Sequence, residues 1–128
     1  MFENLDSIDL YDHRIHLRHG GVADAGTRPG GPADAALWTV GAFHADSDRA
    51  VHADVWERHP TGHEVLVVLS GELHVHLRDR GNAPAATLTA GRSFIVPAGR
   101  WHRLAVVEAG DMLTITPRAG TEHEKAAE

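Results

Sequence analysis

The chain has 128 residues, the size of one domain and enough to bury a core. Its 42% hydrophobic and 23% charged content is that of a globular protein, and a net charge of −6 argues against nucleic acid or anionic membrane as partners, since both draw on basic surface. The absence of cysteine excludes disulfides, thiolate metal sites and thiol nucleophiles, and fits a cytoplasmic protein.

The opening "MFENLDSIDLYDH" lacks the basic-then-apolar order of a signal peptide, and no apolar run approaches the ~20 residues that cross a bilayer. Residues 8–18 read as a possible strand and residues 20–36 as a Gly/Pro-rich loop, so 1–35 form an N-terminal extension. Residues 36–43 read as a strand. Residues 51–59 alternate, with Val51, Ala53, Val55, Glu57 and His59 on one face. Residues 64–70 are almost continuously apolar, as in a strand buried on both sides. Residues 72–77 alternate again, and 78–86 form a turn-rich connection. Strands follow at 92–97, 101–107 and 112–117, and the polar tail 118–128 is expected to fray. Many short strands between turns, with no helical periodicity and no linker, predict an all-β barrel or sandwich in one domain, with the barrel at 36–117.

Alternation also sorts the ionisable residues. Glu57 and His59 share a face with apolar neighbours, Glu64 aligns with Leu66 and Val68, and His102 aligns with Leu104 and Val106. Three strands thus send ionisable heads inward, which is costly unless they are paired, neutralised or metal-bound. His63 has the opposite parity to Glu64 and follows turn residues, so it is expected at the rim. His74 and His76 form a literal His-x-His, but Leu73, Val75 and Leu77 take the inward face and leave them on the surface. His13, His16, His19, His44, His52 and His123 read as exposed or structural, and Trp38, Trp56 and Trp101 as core, rim or interface residues.

Two motifs give this pattern a family. His59-Pro60, four residues from His59 to Glu64 and six more to Gly71 resemble the first cupin motif; Gly91, Pro97, Gly99 and His102 fall at the spacings of the second. The chain departs from the motifs at Val51, where the first opens with Gly, at Glu57 in place of the first His, and at Val106 in place of the closing Asn. The resemblance, covering roughly residues 36–117, implies a single-domain, RmlC-like cupin β-barrel of the jelly-roll class: two packed antiparallel sheets, often in a homodimer. It implies a divalent transition metal (Fe, Mn, Zn, Ni or Co) on His59, Glu64 and His102. Glu57 enters as a fourth ligand, a group behind the ligands, or a general base. The function it implies is a small-molecule enzyme acting on an oxygenated or carbonyl compound, of oxygenase, isomerase, lyase or cyclase type. The alternative is a non-catalytic binding or sensing module.

Overall fold

The structure, a computed structural model, describes residues 6–26 and 36–126; positions 27–35 of the Gly/Pro-rich loop and the chain ends lie outside the described residues. The strands are β1 (Arg14–Leu17), β2 (Ala23–Gly26), β3 (Trp38–Ala45), β4 (Val55–Arg58), β5 (Glu64–Val68) and β6 (Glu72–Leu77). They continue with β7 (Ala86–Thr89), β8 (Ser93–Val96), β9 (His102–Glu108), β10 (Gly110–Pro117) and β11 (Glu122–Lys125). They form two antiparallel sheets, β2-β1-β3-β10-β5-β8 and β11-β4-β9-β6-β7, in a jelly roll.

The inward face of each strand carries the apolar residues that alternation assigns to it. Leu66, Val68, Val96 and Met112 of the first sheet meet Leu73, Val75, Leu77, Leu88 and Leu104 of the second in one core. The other end of the same interior is polar. The inward row of β1, β3, β10 and β5 runs His16, Thr39, Thr116, Glu64, and the next runs Arg14, Gly41, Thr114, Leu66. The barrel is therefore packed at one end and hollow at the other.

Several elements differ from the sequence expectations. Residues 48–54 are successive turns rather than strand, with Val55 N–H donating to His52 O and His52 at φ 51°. Ser47 and Asp48 supply the turn chemistry, and Val51 reaches the core from a turn instead of a pleat. β5 alternates instead of being buried on both faces: Glu64, Leu66 and Val68 are buried, while Val65 and Val67 are half-buried. Residues 14–17, within the possible strand at 8–18, pair with β2 on one edge and β3 on the other. β2 emerges from a segment that reads as loop, and β7 begins at the last residue of the 78–86 connection, because short edge strands carry little pattern. Residues 118–126 of the tail do not fray: β11 pairs along the whole of β4, whose other edge meets β9 at a single residue pair. Arg58–Glu122 and Arg78–Glu124 ion pairs, both 2.7 Å, hold it.

Gly71 shows why the first motif ends in glycine. It sits at φ 80°, and an added Cβ would lie 2.5 Å from Glu108 O and against the Ala109 backbone. The turn after β5 thus packs backbone to backbone on the β9–β10 turn, where Leu69 N–H donates to Asp111 O. Gly91 has φ 83° but open space around it. We expect Gly91→Ala to cost about 1–2 kcal/mol from left-handed strain alone. Gly71→Ala should cost clearly more, since backbone must move as well; urea denaturation of the two variants checks the order.

Candidate metal centre

Four side chains meet at the inner end of the hollow. Glu57 comes from β4, His59 from just past its end, Glu64 from the start of β5 and His102 from the start of β9. One ligand atom from each lies within 4.8 Å of all the others. His59, Glu64 and His102 are only 3%, 4% and 3% exposed, so their charges cannot be met by solvent. Two backbone features bring the strand ends together: Glu57 is the β4 residue that pairs with His102, and Gly99 N–H donates to His59 O at 2.9 Å.

The inner atoms face one another. His59 Nε2 is 2.9 Å from Glu57 Oε1 and 3.3 Å from Glu64 Oε1. His102 Nε2 is 2.9 Å from Glu64 Oε1 and 4.0 Å from Glu57 Oε1. The buried His59 Nε2 and Glu64 Oε1 stand close to partners without lining up as donor and acceptor. Donors bonded to one ion at ~2.1 Å are separated by roughly 3.0–3.4 Å when adjacent, so these separations fit a shared ion.

The outer atoms are tied to the protein. His59 Nδ1–H donates to Thr121 Oγ1 at 2.9 Å, Thr116 Oγ1–H donates to Glu64 Oε2 at 2.7 Å, and His123 Nε2–H donates to Glu57 Oε2 at 2.7 Å. His102 Nδ1–H makes a weaker 3.4 Å bond to Arg100 O. Each outer bond fixes a tautomer or a rotamer and turns the other end of the side chain toward the centre.

With no ion, the centre is a paired acid–base cluster. Burial pushes the His59 imidazolium down, but Glu57 and Glu64 outweigh burial and raise its pKa from 6.5 to about 9. Burial would raise the Glu64 carboxyl, but His102 and His59 outweigh it and lower the pKa from 4.5 to about 2. Glu57 is also lowered: burial opposes the shift, and the contact with His59 drives it.

The centre opens on a cavity of about 540 Å³ whose walls include Glu57, Glu64, His102, Thr116, Arg118 and His123. The structure thus brings together the four residues that alternation and motif spacing single out. His63 is exposed and outside the cluster; its Nδ1 accepts from Ala98 N–H at 2.8 Å. His74 and His76 lie on the outward face of β6 but are half-buried rather than surface-exposed, and His76 pairs in register with Arg103. His16 is buried, with Nδ1 3.0 Å from Thr39 Oγ1. Arg guanidiniums cover Trp56 and Trp101. Sequence reasoning missed Thr116, Thr121 and His123. The parity of Thr116 with Met112 was a usable signal; the other two lie in the segment expected to fray.

A family model described as the cupin domain matches residues 49–117, more than half of the chain. The chain belongs to the cupin family. No curated protein matches it. Among solved structures, this cupin is similar to a cupin-2 domain protein from Shewanella frigidimarina, with 24% identity, TM-score 0.50, and 64% of this chain and 72% of the other covered. It is similar to an uncharacterized conserved protein with a double-stranded β-helix domain from Klebsiella pneumoniae, with 22% identity, TM-score 0.52, and 71% and 76% covered. It is also similar to hydroxypropylphosphonic acid epoxidase from S. wedmorenis, with 23% identity, TM-score 0.51, and 62% of this chain and 43% of the enzyme covered. At these identities the likeness establishes the shared fold.

The pKa shifts set a pH profile for the metal-free protein. A raised histidine pKa gives stability that is complete below about 6.5 and lost as pH rises through about 9. A lowered carboxyl pKa gives stability that is complete above about 4.5 and lost as pH falls through about 2. Melting temperature in excess chelator should therefore peak between those limits and decline on both sides, and His59→Gln should flatten the alkaline decline.

Proposed function

We propose that this cupin binds one divalent transition ion through Glu57, His59, Glu64 and His102 and acts on a small oxygenated or carbonyl compound in the adjoining cavity. The observation that carries the reading is the division of each ligand side chain into an inner atom facing the other three and an outer atom held by the protein. Two imidazoles and two carboxylates suit Fe, Mn, Co, Ni or Zn. When bound, such an ion supplies Lewis-acid polarisation of a substrate oxygen.

The chain's own residues supply orientation and proton handling. Glu57 is the most exposed of the four and lines the cavity, so its carboxylate can take a proton from a bound compound. His123, exposed on the opposite side of that carboxylate, holds its outer oxygen through the Nε2–H bond and so orients Glu57. Thr116 holds Glu64, and Thr121 holds His59, against rotation out of the site. The epoxidase named above, by its name, acts on a hydroxylated acid, a small oxygenated compound of the kind the cavity would hold. The His123 contact also favours an alternative, because it occupies one oxygen of the candidate base: a non-catalytic module that binds the same compound. Turnover of a bound compound separates the two.

Protein purified without chelator should carry about one equivalent of a transition metal by elemental analysis. His59→Ala and His102→Ala should lose it. His123→Ala and Thr116→Val should keep the site but weaken affinity by about 10–100-fold, as loss of outer hydrogen bonds does elsewhere. Uptake should release a proton below about pH 9, because His59 must give up its Nε2 proton to become a ligand. Metal-free protein that neither gains an ion nor shifts its melting temperature on titration would sink the reading.

A further inference from the structure

The cavity wall beside the centre is cationic in an otherwise acidic chain. Arg14 and Arg118 both line it. Both lower the pKa of the buried His16, behind the larger effects of burial, Arg18 and the opposing Asp24, which puts the two guanidiniums near the same wall. Arg14 lies across Gly41, where a Cβ would meet its side chain at 2.5 Å; the missing side chain at Gly41 makes room for the arginine. Arg118 follows β10 and carries a buried Nε with no acceptor. Among the described residues it makes no hydrogen bond and no ion pair, unlike Arg58, Arg78, Arg100 and Arg103, each of which has an oxygen partner. A half-buried guanidinium without a counter-ion is costly unless something else meets it.

We propose that the cavity takes a small organic acid whose carboxylate is bound by Arg118, with Arg14 adding its charge, while a second oxygen function of the same molecule meets the Glu57–His59–Glu64–His102 centre. The proposal rests on the metal reading for the second contact only. Charge supports it: three guanidiniums, those of Arg14, Arg103 and Arg118, line the same cavity as the carboxylates of Glu57 and Glu64. Spacing supports it as well. Thr116 stands beside Glu64 across one strand spacing, and Arg118 is two residues further along. Sideways ~4.8 Å and lengthwise ~6.6 Å put the two backbones ~8 Å apart, a span that a molecule of a few carbons bridges between the side chains. Arg suits the role because its planar fork matches a carboxylate.

The test is calorimetric titration of the full chain, loaded with cobalt(II), with oxalate, malonate, succinate and glutarate and with the neutral diamide of each. At least one dicarboxylate should bind tenfold or more tighter than its diamide. Arg118→Gln should lose about 10–100-fold of that affinity, as expected for a charge-assisted hydrogen bond, with its cobalt content unchanged. Arg118→Lys should fall between, and it decides the matter if Arg118→Gln does not fold. Equal affinity for acid and diamide, or Arg118 variants that bind the acid as well as the parent, would overturn the proposal while leaving the metal site intact. If the parent takes up no cobalt, the metal reading fails separately. The same titration of the metal-free protein then still decides the arginine site, by whether the affinity depends on Arg118.

Discussion

Three ionisable side chains buried at the junction of two sheets set the terms for the rest of this molecule. A histidine, a glutamate and a second histidine with almost no solvent exposure would destabilise the barrel if left unpaired. They are held within bonding distance of one another and of Glu57, so that burial strengthens rather than forbids their attraction. The strand ends that deliver them cannot drift without exposing one charge to an apolar interior. That constraint explains why β4 is short and needs β11 on its free edge, and why a glycine-bearing turn is bonded directly to His59 O.

The interior is divided to serve the same end. The packed half, built around Leu66, Val68, Leu73, Val75 and Met112, supplies the hydrophobic stabilisation. The hollow half gives up that stabilisation in exchange for a walled space with threonines, arginines and the acid–base cluster. Thr116 joins the two: it is on the inward face of β10 two turns of the pleat from Met112, and its hydroxyl fixes Glu64. A rigid hydrocarbon core next to the site keeps the four side chains in place, the kind of preorganisation a binding centre requires.

Much of this was legible in the sequence because strand parity and motif spacing act on the same residues. His59, Glu64 and His102 each sit in register with apolar neighbours, and the inward faces of β5, β6, β9 and β10 follow from alternation. His63 could be separated from Glu64 by one residue of parity. The rest was not legible for definite reasons. Val51 and Ala53 continue the alternation of β4 by coincidence, since Ser47 and Asp48 close turns there. β11 has no apolar residue to betray a strand; its pairing comes from the unoccupied edge of β4 and from cross-strand charge pairs, which only the tertiary fold supplies. His123 and Thr121 were hidden with it. Arg118 reads in sequence as the first residue of a polar tail, and only its burial next to Glu64's wall gives it meaning.

On this reading the four inner donor atoms hold one ion. X-ray absorption at the metal edge of the loaded protein tests it most directly. The expected result is a first shell of nitrogen and oxygen at about 2.0–2.2 Å, with the multiple scattering of two imidazoles. A first shell of oxygen alone, with no imidazole scattering, would contradict it.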